Sequence, residues 1–279
     1  MKNIKYLLYS LIFLTVSLFG YMKFTNQNIN EIGLKFFSWI KKMKGESVDL
    51  TKLSNKETTM VDHQIWTALL SKQVSTAGNV DYKGIIADKA SLDTYLAALS
   101  DNPPGVNWGE NDKIAYWINA YNAFTVKLIV DNYPLKSIKD IGNGLPMINS
   151  PWDIKFFKIG DTDFDLNTIE HEILRKQFQE PRIHFAINCA SFSCPKLRNE
   201  AFEAKTLDKQ LDEQARSFIN NPDKNKIDNK ETQLSKIFSW FENDFTKKGS
   251  IKSFIKKYHE EFNENNKLQY IDYVWTLNE

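Results

Sequence analysis

Apolar residues recur every three to four positions through much of the chain, the spacing that gathers them on one face of an α-helix. Ile65, Trp66, Leu69 and Leu70 predict a helix over His63–Val74. Leu92, Leu96 and Leu99 predict another over Lys89–Ser100, broken by Asn102-Pro-Pro-Gly. The strongest signal runs from Asp112 to Asp131, where Ile114, Trp117, Ile118, Tyr121, Phe124, Thr125, Leu128 and Ile129 recur ahead of Pro134. Leu207–Ile219, Leu234–Phe245 and Ile251–His259 carry the same periodicity. Asn167–Gln177 predicts a further helix, with Asn167 as N-cap and Glu170 completing a capping box.

The strand signals are fewer. Trp152–Leu166 reads as a hairpin, with Ile154–Ile159 and Asp163–Leu166 on either side of Gly160-Asp161. Arg182–Cys189 predicts a strand with Ile183, Phe185, Ile187 and Cys189 on one face and His184, Ala186 and Asn188 on the other. Leu268–Leu277 predicts a closing aromatic strand, with Ile271, Tyr273 and Trp275 sharing a face. Helices dominate, and the strands do not alternate with them. The expected class is therefore α+β, a helix-rich single domain with a small, mostly antiparallel sheet, rather than a doubly wound fold.

The N-terminus follows other rules. Lys2 and Lys5 precede a run without charge from Tyr6 to Met22. Residues 1–24 are expected to be a signal peptide or a signal anchor. Leu18, two residues before Gly20, makes a poor cleavage site, which favours the anchor, and the preceding lysines place the domain outside. The expected partner is thus the membrane. The expected location is the periplasmic face of an inner membrane, or the periplasm or exterior if the segment is cut. Residues 25–60 read as a stalk and linker: Ile32, Phe36, Trp39, Ile40 and Met43 recur at helical spacing among Lys35, Lys41, Lys42 and Lys44. Such a helix either packs on the domain or lies on lipid. The domain proper is expected over 61–279.

Composition changes this picture little. With 42% hydrophobic residues in 279 and a net charge of +1, the chain can build a core and carries no global basic excess for duplex nucleic acid, so no nucleic-acid partner is expected. Two cysteines, Cys189 and Cys194, are too few for a disulfide framework. No phosphate loop, GxGxxG or GxSxG is present, so no cofactor is expected.

The chemistry-bearing residues concentrate in Ile169-Glu-His-Glu-Ile-Leu-Arg175 and Arg182–Pro195. A short link between helix and strand brings His171 toward Cys189. Cys189 would be a nucleophile, His171 its general base and Glu170 the group orienting the imidazole. Arg175, His184, Tyr121 and Ser191 would contact a peptide or small-molecule substrate. A buried structural Cys189, a cap role for Cys194 on a helix opened by Pro195, and a disulfide between the two remain open alternatives. His184, Cys189 and Cys194 match no standard zinc spacing, and no metal site is expected. Asn119 and Asn122 share one face of the long helix: either they tie it to neighbouring backbone or one amide supports the site.

Three motifs in order, Tyr116-Trp-Ile-Asn-Ala-Tyr-Asn-Ala, Ile169-Glu-His-Glu-Ile-Leu-Arg and His184-Phe-Ala-Ile-Asn-Cys-Ala-Ser-Phe-Ser-Cys-Pro, resemble the domain-of-unknown-function 547 family. The resemblance spans roughly Val61 to Glu279 and implies export for a bacterial-type member. It implies retention of Cys189 and of the Glu170-His171 pair. The position of Cys194 is often serine in plant members, which favours Cys189 as nucleophile and weighs against a disulfide or a two-cysteine metal site. It implies no substrate. The resulting expectation is an exported envelope protein with a cysteine-dependent hydrolase or acyl-transfer site. The alternatives are a non-catalytic binding domain and a thiol-redox or metal protein.

Overall fold

The computed structural model describes residues 53, 55–142, 150–228 and 230–279. The expected membrane segment and most of the expected stalk fall outside them. Among the described residues no helix is long and apolar enough to cross a membrane. The end of the expected linker packs on the domain: Leu53 is buried, and Thr58 bonds to Asn107 Oδ1 and to the Pro103 carbonyl.

Four helices open the chain: α1 (Gln64–Gln73), α2 (Tyr82–Ala87), α3 (Lys89–Asp101) and α4 (Glu110–Asn132). Helix α4 is central. Every residue from Ile114 to Val130 except Lys127 is buried, the signature of a helix enclosed on all sides. Helices α2 and α3 pack on it, as does the segment Thr168–Leu174. The hairpin of β1 (Phe157–Ile159) and β2 (Thr162–Phe164) pairs Phe157 with Phe164, and Phe157 stacks on Phe124 of α4 at 3.7 Å.

A second apolar cluster, including Phe185, Phe218, Phe238, Phe245, Ile255 and Tyr258, forms later in the chain. Its elements are α6 (Leu207–Ile219), β3 (Lys226–Ile227), β4 (Thr232–Ser235), α7 (Lys236–Trp240), α8 (Glu242–Thr246), α9 (Ile251–Tyr258) and β5 (Leu268–Ile271); α5 is the short turn Arg175–Gln177 before them. Strand β4 is antiparallel to β3 and parallel to β5. The architecture is α+β, with helices dominant.

Four expected elements take other forms. Arg182–Cys189 is not a strand. Pro181–Phe185 is a 3₁₀ turn, with Pro181 at its first position and Glu180 accepting from the Arg182 N–H, and irregular backbone follows. Residues 183–188 are all buried, so the alternation there marks no single inward face. Leu234–Phe245 is broken: Asn225 Oδ1 accepts the Ser235 N–H and holds β4 extended, Ser235 then caps α7, and Phe241 separates α7 from α8. Asn167 does not cap. Its backbone is already helical and its amide donates to Asp153 Oδ1, while Asp165 accepts from the Thr168 N–H at 2.7 Å. The helix that follows is π-helical over Thr168–Leu174, closed by the Arg175 N–H to the Glu170 carbonyl. Strand β5 stops at Ile271; beyond it only a bridge between Ser191 and Leu277 is strand-like.

Candidate functional site

In the segment 183–194, Phe192 and Ser193 donate backbone N–H groups to Thr276 and Val274, and α4 holds the earlier part through a side chain. Asn122 Nδ2 donates to the Ala186 carbonyl at 2.9 Å and its Oδ1 accepts the Asn188 N–H at 2.8 Å. Asn119 does the same for Phe202, at 2.8 and 2.9 Å. Both amides act as backbone clamps through one donor and one acceptor bond each, and neither residue lines the cleft that holds Cys189. Asn122 nevertheless fixes the chain at Ala186 and Asn188, three residues and one residue before Cys189.

Asn188 continues the clamp. Its Oδ1 accepts the Ala190 N–H at 2.8 Å and its Nδ2 donates to the Pro195 carbonyl at 2.7 Å, closing a loop from 188 to 195. Ala190 has φ of 58°, a left-handed conformation costing a residue with a Cβ roughly 1 kcal/mol or more. That turn faces Cys189 toward Cys194, and the two form a disulfide with Cα atoms 6.2 Å apart. The resemblance had weighed against this pairing; the tight loop brings it about. No helix follows Pro195, so Cys194 caps nothing.

The two sulfurs differ in surroundings. Cys189 is half-buried and Cys194 is 5% exposed. Cys194 Sγ receives the Cys189 N–H at 2.9 Å and the Tyr273 hydroxyl at 3.2 Å. Tyr273 Oη is also 3.3 Å from Cys189 Sγ. Ser191 Oγ stands 3.2 Å from Cys189 Sγ and bonds Tyr273, so Ser191 lies beside the sulfur.

Both cysteines line a cleft of about 210 Å³. One side is aromatic. Trp240, Tyr273 and Trp275 lie 4.5–6.0 Å apart between centroids, and Trp152 meets Trp275 at 5.7 Å. The other side carries Tyr121, Glu170, His171 and His184. Loss of the expected strand puts His184 and Cys189 on the same cleft rather than on opposite faces.

Glu170 does not orient His171. Its carboxylate accepts the Tyr121 hydroxyl at 3.3 Å and lies 4.0 Å from His171 Nδ1. His171 Nδ1 instead stands 3.2 Å from Arg175 Nη1. An arginine only donates, so Nδ1 is the bare nitrogen and Nε2 carries the proton. In that tautomer the imidazole's lone pair is already taken, and it serves the cleft as a donor rather than as a base. Arg175 is no substrate anchor, since its Nε donates to Asp244 Oδ2 at 2.6 Å and its side chain is 10% exposed. His184 Nε2 donates to the same oxygen at 2.8 Å. Burial pushes His184 below its ordinary value, against the pull of Asp244, so it is neutral at pH 7; its Nδ1 has no partner. Burial alone would raise Asp244, but the bonds from His184 and Arg175 outweigh it and hold the carboxyl well below the usual range.

Burial pushes Glu170 up to about 7, with Arg175 opposing. The folded chain therefore retains a proton that the unfolded chain loses near pH 4.5. Stability should fall as pH rises from about 4.5 to 7, by roughly 3 kcal/mol in the limit of one isolated group. Glu170→Gln should flatten that slope in urea denaturation midpoints measured at pH 5 and pH 7.5. An unchanged slope would mean that Glu170 is not the titrating group.

Tyr273, Trp152, Trp240, Trp275 and Asp244 were not identified as site residues from the sequence. The shared face of Tyr273 and Trp275 was the one available hint. Among the described residues no cluster of three or more His, Cys, Asp or Glu side chains is arranged to hold a metal. Residues 106–219 match the family described as a protein of unknown function, DUF547. No curated protein and no solved structure matches the chain.

Proposed function

Because residues 106–219 belong to the DUF547 family, whose function is unknown, we propose an activity from the chemistry of the cleft itself: the chain is an exported thiol–disulfide exchange protein acting through Cys189 and Cys194. One observation carries this reading. The cysteines are paired at one cleft, with Cys189 the more exposed and Cys194 the more buried, an N–H and a hydroxyl aimed at the Cys194 sulfur.

An incoming thiolate of a dithiol substrate attacks Cys189 Sγ. The Cys189–Cys194 bond breaks, its electron pair goes to Cys194 Sγ, and a mixed disulfide forms on Cys189. The Cys189 N–H and the Tyr273 hydroxyl stabilise the departing thiolate, as donors to a charged acceptor do. The substrate's second thiolate then attacks the substrate sulfur of the mixed disulfide and releases Cys189 as thiolate. The substrate leaves oxidised to its own disulfide, and the cysteine pair holds the two electrons. The reading fits the oxidising compartment expected from the N-terminus, where such pairs persist. The cysteine-hydrolase reading of Cys189, His171 and Glu170 keeps one supporting observation, their shared cleft, but it requires prior reduction and a base other than the engaged Nδ1 of His171.

Iodoacetamide should label neither cysteine in the oxidised chain and should label Cys189 ahead of Cys194 after reduction. With glutathione disulfide, Cys194→Ser should take up one glutathione on Cys189 and release the other as thiolate, whereas Cys189→Ser should take up little on Cys194. Tyr273→Phe should slow exchange roughly 10-fold, the loss of one hydrogen bond to a developing thiolate. Labelling of both thiols without reduction, or no capture by Cys194→Ser, refutes the reading.

A further inference from the structure

The aromatic side of the cleft and the acceptors opposite it have no assigned occupant. We propose that the cleft holds a primary ammonium group on an alkyl stem, between the rings of Trp240 and Tyr273 and the carboxylate of Glu170. This names the substrate class for the thiol–disulfide site and rests on that reading only in making the ammonium's bearer the site's substrate.

Three observations converge. First, ring faces are the negative poles of aromatic side chains, and a cation within about 6 Å of a centroid is attracted to them. The chain's own Lys139 shows the pairing, with Nζ 3.8 Å from the Trp275 centroid, which leaves Trp240 and Tyr273 as the rings for an incoming ammonium. Second, the opposite side offers acceptors. Glu170 takes one hydrogen bond, from Tyr121, and His184 Nδ1 is a buried lone pair without a donor. A quaternary ammonium has no N–H to give them; a primary one has three. Third, Glu170 shares its nearest cation: Arg175, which pulls its pKa down, is committed to Asp244, and His171 Nδ1, 4.0 Å from the Glu170 carboxylate, is turned to Arg175. Arg175 and Asp244 are bonded to each other, Lys247 stands 3.7 Å from Asp244, and His184 is neutral. A bound anion would face the Glu170 carboxylate. A neutral ligand would stack on the rings and leave the Glu170 proton in place. Burial raises the Glu170 pKa, and an ammonium seated beside the carboxylate would drive its proton off.

The test is titration of the full chain with n-butylammonium chloride at pH 7, followed by tryptophan fluorescence and by calorimetry in two buffers of different ionisation enthalpy. Saturable binding is expected, at least 10-fold tighter than 1-butanol and tighter than tetramethylammonium, with net release of protons. Glu170→Gln should lose at least 10-fold in affinity and release no proton. Equal affinity for 1-butanol and n-butylammonium overturns the proposal. So does binding without proton release in the wild type, a result that does not depend on how the variant folds. A Cys189→Ser/Cys194→Ser double variant separates the two readings. Ammonium binding by it alongside absent thiol exchange in the wild type sinks the thiol reading alone; exchange without ammonium binding sinks this one alone.

Discussion

Asp244→Ala should destabilise the fold by about 3–5 kcal/mol, the cost of removing one partner from a buried ion pair. One carboxylate oxygen takes both Arg175 Nε and His184 Nε2. The Arg175 and His184 side chains are 10% and 1% exposed, so neither can turn to water when the acceptor goes. Asp244→Asn keeps an acceptor oxygen and should lose about half as much. The two variants should also separate by pH. Because the folded carboxyl titrates below its unfolded value, its contribution is complete above about pH 4 and drains away as pH falls. Urea midpoints at pH 7 and pH 3 check this: the gap between wild type and Asp244→Asn should narrow in acid, and a constant gap would show that the carboxylate's charge contributes nothing.

Asn122→Leu should cost about 2–5 kcal/mol, since it strands the buried Ala186 carbonyl and Asn188 N–H in one step. Asn119→Leu should be similarly harmful to stability through Phe202. The two should part in chemistry. Only the Asn122 change loosens the chain entering the cysteine loop, so only it should speed alkylation of Cys189 at fixed reductant. Thermal denaturation together with timed iodoacetamide labelling distinguishes them. Equal labelling rates would mean that the loop is held by Asn188 and Asn278 without help from α4.

These amides also show what could be read in the chain and what could not. Two asparagines three apart inside an apolar helix announce a buried polar face, but not which backbone they grip, because Ala186 and Phe202 are distant in sequence. The helices α1, α3, α4, α6 and α9 were legible because each buries a periodic stripe that no neighbour overrides. Leu207–Ile219 appears with its expected limits. Arg182–Cys189 misled because alternation is informative only when one face meets water. Here both sides are covered, by the core around α4 and by the cluster around Phe185. The π-helical turn was hidden because five-residue closure leaves no composition signal. The Glu170, His171, His184 and Cys189 gathering was readable from their proximity in the chain. Trp152, Trp240, Tyr273 and Trp275 converge from separate elements, and no local pattern tells of that.

The segment shared with the DUF547 family ends at residue 219, yet Trp240, Tyr273 and Trp275 all lie past it, and Leu277 and Asn278 pin the cysteine loop from there as well. The matched stretch thus holds both cysteines together with Tyr121, Glu170, His171 and His184, while the rings of Trp240, Tyr273 and Trp275 come from beyond it. A fragment ending at residue 219 would keep the sulfur pair and lose Trp240, Tyr273 and Trp275, and with them the tyrosine hydroxyl that reaches both sulfurs.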